Sequence, residues 1–109
     1  MILTGEEALC WATHVPNLGN VYMTDGAQSN FTVIDAKTRT LKPYFNFKSS
    51  DGGGFDNVEY ENKLYVLTGV RSVVVLDLTT NPPATLQDMS LSDGSAGGSG
   101  QFEGLALYV

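Results

Sequence analysis

Ser72-Val73-Val74-Val75-Leu76-Asp77-Leu78 sets five apolar residues in seven positions, four of them in succession. A strand that faces water on one side alternates apolar and polar residues, so an unbroken β-branched run predicts a strand buried on both faces. Upstream, Lys63-Leu64-Tyr65-Val66-Leu67-Thr68 reads as its hairpin partner, with Gly69-Val70-Arg71 as the turn between them. The same pair occurs earlier in the chain. Val21-Tyr22-Met23 matches Leu64-Tyr65-Val66, Gly26 matches Gly69, and Val33-Ile34-Asp35 matches Val75-Leu76-Asp77, all at a spacing of about 43 residues.

That period divides the chain into units of four strands. The first unit spans about 8–47, with strands at 8–15, 20–25, 30–36 and 41–47; the second spans about 55–91, with strands at 55–60, 63–68, 72–78 and 84–91. A polar, glycine-rich linker (92–101) leads to Phe102-Glu103-Gly104-Leu105-Ala106-Leu107, which repeats the start of a unit. Aligning the first strands brings Cys10, Phe55 and Phe102 together, then His14, Glu59 and Ala106. Pro43, Pro82 and Pro83 cannot donate to a ladder and belong at sheet edges or strand starts. The expected fold is all-β: two four-stranded, β-propeller-like blades and the first strand of a third. A self-contained β-sandwich of about eight strands is the alternative that this length would suit. Blades with apolar residues on both faces need neighbours, so a homo-oligomer or a companion chain completing the ring is expected. A fragment with open edges would self-associate.

The chain has 109 residues, twelve acidic against six basic side chains and a net charge of −6. That sign opposes attraction to phosphate backbones and anionic lipid, so neither nucleic acid nor a membrane surface is an expected partner. No apolar run is long enough to span a bilayer, and the segment after Met1 lacks the pattern of a signal peptide, which leaves a soluble chain of undetermined compartment. The single Cys10 excludes an internal disulfide and reads as a small hydrophobe. With one His, one Cys and no CxxC or HxxxH spacing, no metal site is expected; the aspartate-glycine stretches at 51–54 and 93–95 lack the oxygen ligands of a calcium loop, and no cofactor motif is present. Asn30-Phe31-Thr32 fits the glycosylation triplet but lies within an apolar run that reads as strand.

In a propeller the innermost strands face the central channel, which directs attention to Trp11, Thr13 and His14 in the first unit, Asp56, Asn57 and Glu59 in the second, and Glu103 in the third. His14 is the one side chain suited to general base work near neutral pH, with Glu59 or Asp56 to orient it or share its proton. Trp11 and Glu103 are candidate substrate contacts beside them, and Trp11, Tyr44 and Phe47 are candidate binding aromatics. Asp35 and Asp77, each at a strand end before a polar turn, are expected to be turn acceptors.

Gly5-Glu6-Glu7-Ala8-Leu9-Cys10-Trp11, Gly19-Asn20-Val21-Tyr22-Met23-Thr24-Asp25 and Val33-Ile34-Asp35 together resemble the fungal lactonase-like, or 3-carboxymuconate-cyclase-like, propeller proteins. The resemblance is specific over roughly the first 35 residues and architectural beyond them. It implies a C-terminal part of a larger ring, commonly of seven blades in that family, and lactone hydrolysis or formation in the assembled ring. Arg71 would then clamp an anionic substrate. A non-catalytic propeller module that binds protein or carbohydrate is the competing expectation.

Overall fold

The computed structural model describes residues 9–28, 30–46, 53–69, 71–91 and 106. They form two antiparallel four-stranded meanders. The first contains β1 (Leu9–Val15), β2 (Asn20–Asp25), β3 (Asn30–Asp35) and β4 (Thr40–Asn46); the second contains β5 (Gly54–Tyr60), β6 (Lys63–Thr68), β7 (Ser72–Asp77) and β8 (Ala84–Ser90). All eight strands lie within about a residue of their expected bounds. The linker at 92–101 and the third-unit strand at 102–109, Glu103 included, lie outside the described residues apart from Ala106.

The turns close by local chemistry. Pro16–Leu18 forms a short 3₁₀ turn that ends at Gly19 with φ of 67°. Glu61 and Asn62 both take positive φ, the requirement of the two-residue hairpin whose twist matches its strands. Asp35 Oδ1 accepts from the Lys37 and Thr38 amides, and Asp77 Oδ1 accepts from the Thr79 amide and hydroxyl. Both aspartates are thus turn acceptors. Pro83 immediately precedes β8 and Pro43 lies in β4, which are edge strands.

The internal repeat reaches fine detail. In β1 the register with β2 slips between Leu9 and Trp11, leaving Cys10 as the extra residue; in β5 the register with β6 slips between Gly54 and Asp56, leaving Phe55. Cys10 and Phe55 are the positions aligned by the sequence period, so both units carry the same bulge.

The two sheets pack face to face. Val15, Tyr22, Phe31 and Val33 of the first form one core with Leu64, Val66, Val74, Leu76 and Leu78 of the second. The first strands, β1 and β5, are neighbours across this interface: the contacts Trp11 to Phe55, Thr13 to Asn57 and Asn17 to Asn62 advance together along both chains, so the strands run in the same direction. Close approach is possible because two glycines stand where β5 begins. A Cβ on Gly53 would lie 2.1 Å from the Asp25 carbonyl oxygen, and one on Gly54 would lie 2.8 Å from the Thr24 and Val66 side chains.

Gly53→Ala should therefore force the sheets apart and destabilise the chain by about 2–4 kcal/mol. Gly69→Ala, whose Cβ would meet only the Phe55 ring edge at 3.3 Å, should cost clearly less. Urea unfolding midpoints for the two variants compare them directly.

Candidate functional site

Side chains alternate across a strand, and directly paired residues share a face. On β1, Trp11, Thr13 and Val15 face the second sheet, while Ala12 and His14 are exposed on the other side. Cross-strand pairing extends these faces into rows. Thr13, Tyr22, Val33 and Lys42 align on the inner side; His14, Val21, Ile34 and Leu41 align on the outer side. In the second sheet, Glu59, Leu64 and Leu76 align on the inner side, as do Asn57, Val66 and Val74.

Asn57 is the polar centre of the interface. Its side-chain carbonyl accepts from the Thr13 hydroxyl, and its Nδ2 donates to Thr24 Oγ1 at 3.0 Å and towards the Trp11 carbonyl at 3.5 Å. The Thr13 hydroxyl also lies 3.3 Å from the Asn57 carbonyl. Thr24 is fully buried and Asn57 nearly so. One amide thus spends its donor and acceptor capacity on three residues of the opposite sheet, where water cannot replace it. Beside this cluster the Trp11 and Phe55 rings lie 5.7 Å apart, tilted by 31°.

The residues expected to do acid-base work are placed apart. His14 sits on the outer face of the first sheet. Asp56, adjacent to Asn57, points to the outer face of the second, and its Oδ1 accepts from the Asn57 amide at 2.8 Å. Glu59 faces inward, but its Oε2 accepts from the Asn62 amide at 2.8 Å and so braces the β5–β6 turn. The stacked sheets stand between His14 and Asp56, and no proton-sharing pair forms among the three within this chain. Trp11 is half-buried and engaged with Phe55. Arg71 takes φ of 58° in the β6–β7 turn, where its amide donates to the Thr68 carbonyl and its carbonyl accepts from Leu91. Phe47 lies outside the described residues, and Tyr44 lies in the edge strand β4. Asn30 of the glycosylation triplet is 2 % exposed and donates to Gln28, leaving no room at that nitrogen for a glycan. Among the described residues no three His, Cys, Asp or Glu side chains converge.

One concavity of about 440 Å³ opens at the other end of the interface, where the β7–β8 turn overhangs the first sheet. Asn20, Tyr22, Val33 and Lys42 form one side of it, and Leu78, Thr79, Thr80, Asn81 and Pro83 the other. Lys42 Nζ donates to Asn20 Oδ1 at 2.9 Å, and Asn20 Nδ2 donates to the Tyr22 hydroxyl at 3.1 Å. Sequence reasoning missed this site, because Lys42 lies on an edge strand with no local motif to mark it.

No family model, curated protein or solved structure matches the chain. What it does must be read from its own geometry.

Two outcomes follow. Asn57→Ala should lower stability by about 2–4 kcal/mol, since Thr13 and Thr24 lose buried partners, and a double-mutant cycle with Thr13→Val should show the losses to be non-additive. The second concerns acid. Turn hydrogen bonds from Thr38 and Thr79 hold the Asp35 and Asp77 carboxyls below their ordinary range. A lowered folded value means stability present above the unfolded pKa of about 4 and lost as pH falls through the folded values. The Asp35→Asn, Asp77→Asn double variant should flatten that acid limb in pH-dependent thermal melts.

Proposed function

We propose that the chain is a pair of consecutive blades of a β-propeller-type ring and acts as an assembling, ligand-binding module, not as a self-sufficient catalyst. The observation that supports this most is which faces meet. The alignment of His14 with Glu59, Val21 with Leu64, Met23 with Val66 and Ile34 with Leu76 makes the outer face of the first sheet the repeat equivalent of the inner face of the second. Non-equivalent faces are therefore in contact. Head-to-tail contact of this kind propagates from unit to unit until it closes, whereas a two-fold sandwich would join equivalent faces. The parallel course of β1 and β5 and the shared bulge favour the same reading.

Burial supports the need for a neighbour. Leu64, Val66 and Val74 are 0 % exposed, while their counterparts Val21, Met23 and Thr32 comprise two half-buried apolar residues and one buried hydroxyl, and Leu41 beside them is 43 % exposed. Leu67, Val73 and Val75, on the far side of the second sheet, are buried too. Apolar side chains stay partly exposed on both outer faces, Val21, Met23, Ile34 and Leu41 on the first sheet and Val58, Tyr60 and Tyr65 on the second, as expected of blades that lack their neighbours. The occupant of the outer face of the first sheet is taken to be a sheet of a second copy of this chain.

The lactone chemistry implied by the resemblance to fungal propellers belongs, in this proposal, to an assembled ring, since one chain does not join His14 to Glu59 or Asp56. The isolated chain should hydrolyse lactones no faster than its His14→Ala variant; a loss of turnover in that variant would restore the catalytic reading. Light scattering on a sizing column should give a discrete multiple of 11.7 kDa. Ile34→Lys should return the mass to that of one chain with the fold retained by circular dichroism. A folded wild-type monomer would refute assembly through this face, and a stoichiometric companion chain would replace the second copy as its occupant.

A further inference from the structure

The cleft beneath the β7–β8 turn has polar groups with hydrogen-bonding capacity not spent among the described residues. Subtracting the spent ones isolates them. Thr79 Oγ1 donates to Asp77 Oδ1, and Thr80 Oγ1 donates its one hydrogen to the Pro82 carbonyl at 2.9 Å, with the Asp77 carbonyl at 3.2 Å as the alternative acceptor, and accepts from the Ala84 amide, so both hydroxyls are committed to holding the turn. Asn20 is committed twice, as acceptor from Lys42 and donor to Tyr22. That leaves two of the three Lys42 N–H donors, the Tyr22 O–H hydrogen and the Asn81 amide.

Lys42 and Tyr22 offer donors only, while the Asn81 amide offers both a donor and an acceptor. Asn20 offers its N–H to the Tyr22 oxygen, so the phenol is an acceptor in that bond and its own hydrogen remains to be given. Burial raises the Tyr22 pKa, opposed by the weaker effect of Asn20, and the hydroxyl therefore stays protonated as a donor at ordinary pH. Among the described residues of the lining, Lys42 supplies the one positive charge. Asp35 and Asp77 accept hydrogen bonds from their own turns and do not line the cleft, although the Lys42 charge also acts on Asp35. Val33, Leu78 and Pro83 add apolar surface between the donors. Positioned donors, one cation and apolar walls in a few hundred Å³ are the composition of a small-molecule site.

We infer that this cleft binds a small, oxygen-rich carboxylic acid, with the carboxylate on Lys42 and Tyr22, hydroxyls on Asn81, and a carbon ring face against Val33, Leu78 and Pro83. The inference shares the ligand-binding part of the proposed function but not ring assembly, and native mass and ligand titration fail independently.

The test is a titration of the ¹⁵N-labelled full chain, followed by its amide resonances, with quinate as the cyclic hydroxy acid, myo-inositol as the neutral cyclic polyol and acetate as the bare carboxylate. Saturable shifts at the amides of Leu78 to Asn81 and of Lys42 are expected with quinate. Inositol and acetate should each bind at least about tenfold more weakly, because each lacks one half of the recognition. Lys42→Met should weaken quinate about tenfold and Tyr22→Phe severalfold, with the remaining amide spectrum unchanged as the check on folding. Asn81→Ala, in an exposed turn, provides a variant without consequence for the core and should also weaken quinate. Equal response to inositol, absence of saturable shifts at these amides, or undiminished binding in folded Lys42→Met would each overturn the assignment.

Discussion

The hydrogen bonds of the Asn57 side chain determine how the two sheets sit on each other, and most other features of the molecule depend on that placement. A buried amide satisfied by Thr13, Thr24 and the Trp11 carbonyl fixes the position of β5 along β1 in a way that apolar packing does not, because hydrophobic contact tolerates sliding and a buried unsatisfied amide does not. The glycines at 53 and 54 make the approach sterically possible by letting the backbone close onto Asp25 and Thr24. With that end pinned, the sheets present Leu64, Val66, Val74 and Leu76 to Tyr22, Phe31 and Val33, and the core follows.

The same placement explains why the expected catalytic residues separate. Once Asn57 faces the first sheet, the pleat obliges Asp56 to face away and Glu59 to face in. Thr13 faces in for the same reason, and so His14 faces out. The faces brought together are not the ones a general base and its carboxylate would need. Instead the geometry leaves an outer row, His14, Val21, Ile34 and Leu41, whose apolar members Val21 and Ile34 repeat the buried Leu64 and Leu76.

Much of the architecture was legible in the sequence. The apolar runs bounded by polar turns located all eight strands, and the spacing between Val21-Tyr22-Met23 and Leu64-Tyr65-Val66 gave two four-stranded units and aligned Cys10 with Phe55, although nothing in the pattern marked those positions as bulges. Asp35 and Asp77 declared themselves because turn acceptors act within a few residues of their own position. What stayed hidden depends on contacts between sheets. Asn57 was visible as an inner-strand residue, but its role as the bridge requires the relative height of β1 and β5, which no local pattern encodes. The bulge at Phe55 compounds this, since one extra residue reverses the phase of every side chain on one side of it. The cleft is hidden for a related reason: Lys42 and Asn81 come from different units, and only the packing of those units makes them share a surface.

The central claim is that non-equivalent faces of the two repeats meet. Side-chain NOEs in solution address it most directly. The account predicts cross-peaks between the Trp11 and Phe55 rings and between the Thr13 methyl and the Asn57 side-chain amide, with none from the Val21 and Met23 methyls to Leu64 and Val66 of the same chain. Intramolecular NOEs from Val21 and Met23 to Leu64 and Val66 would mean that equivalent faces are joined, and would contradict it.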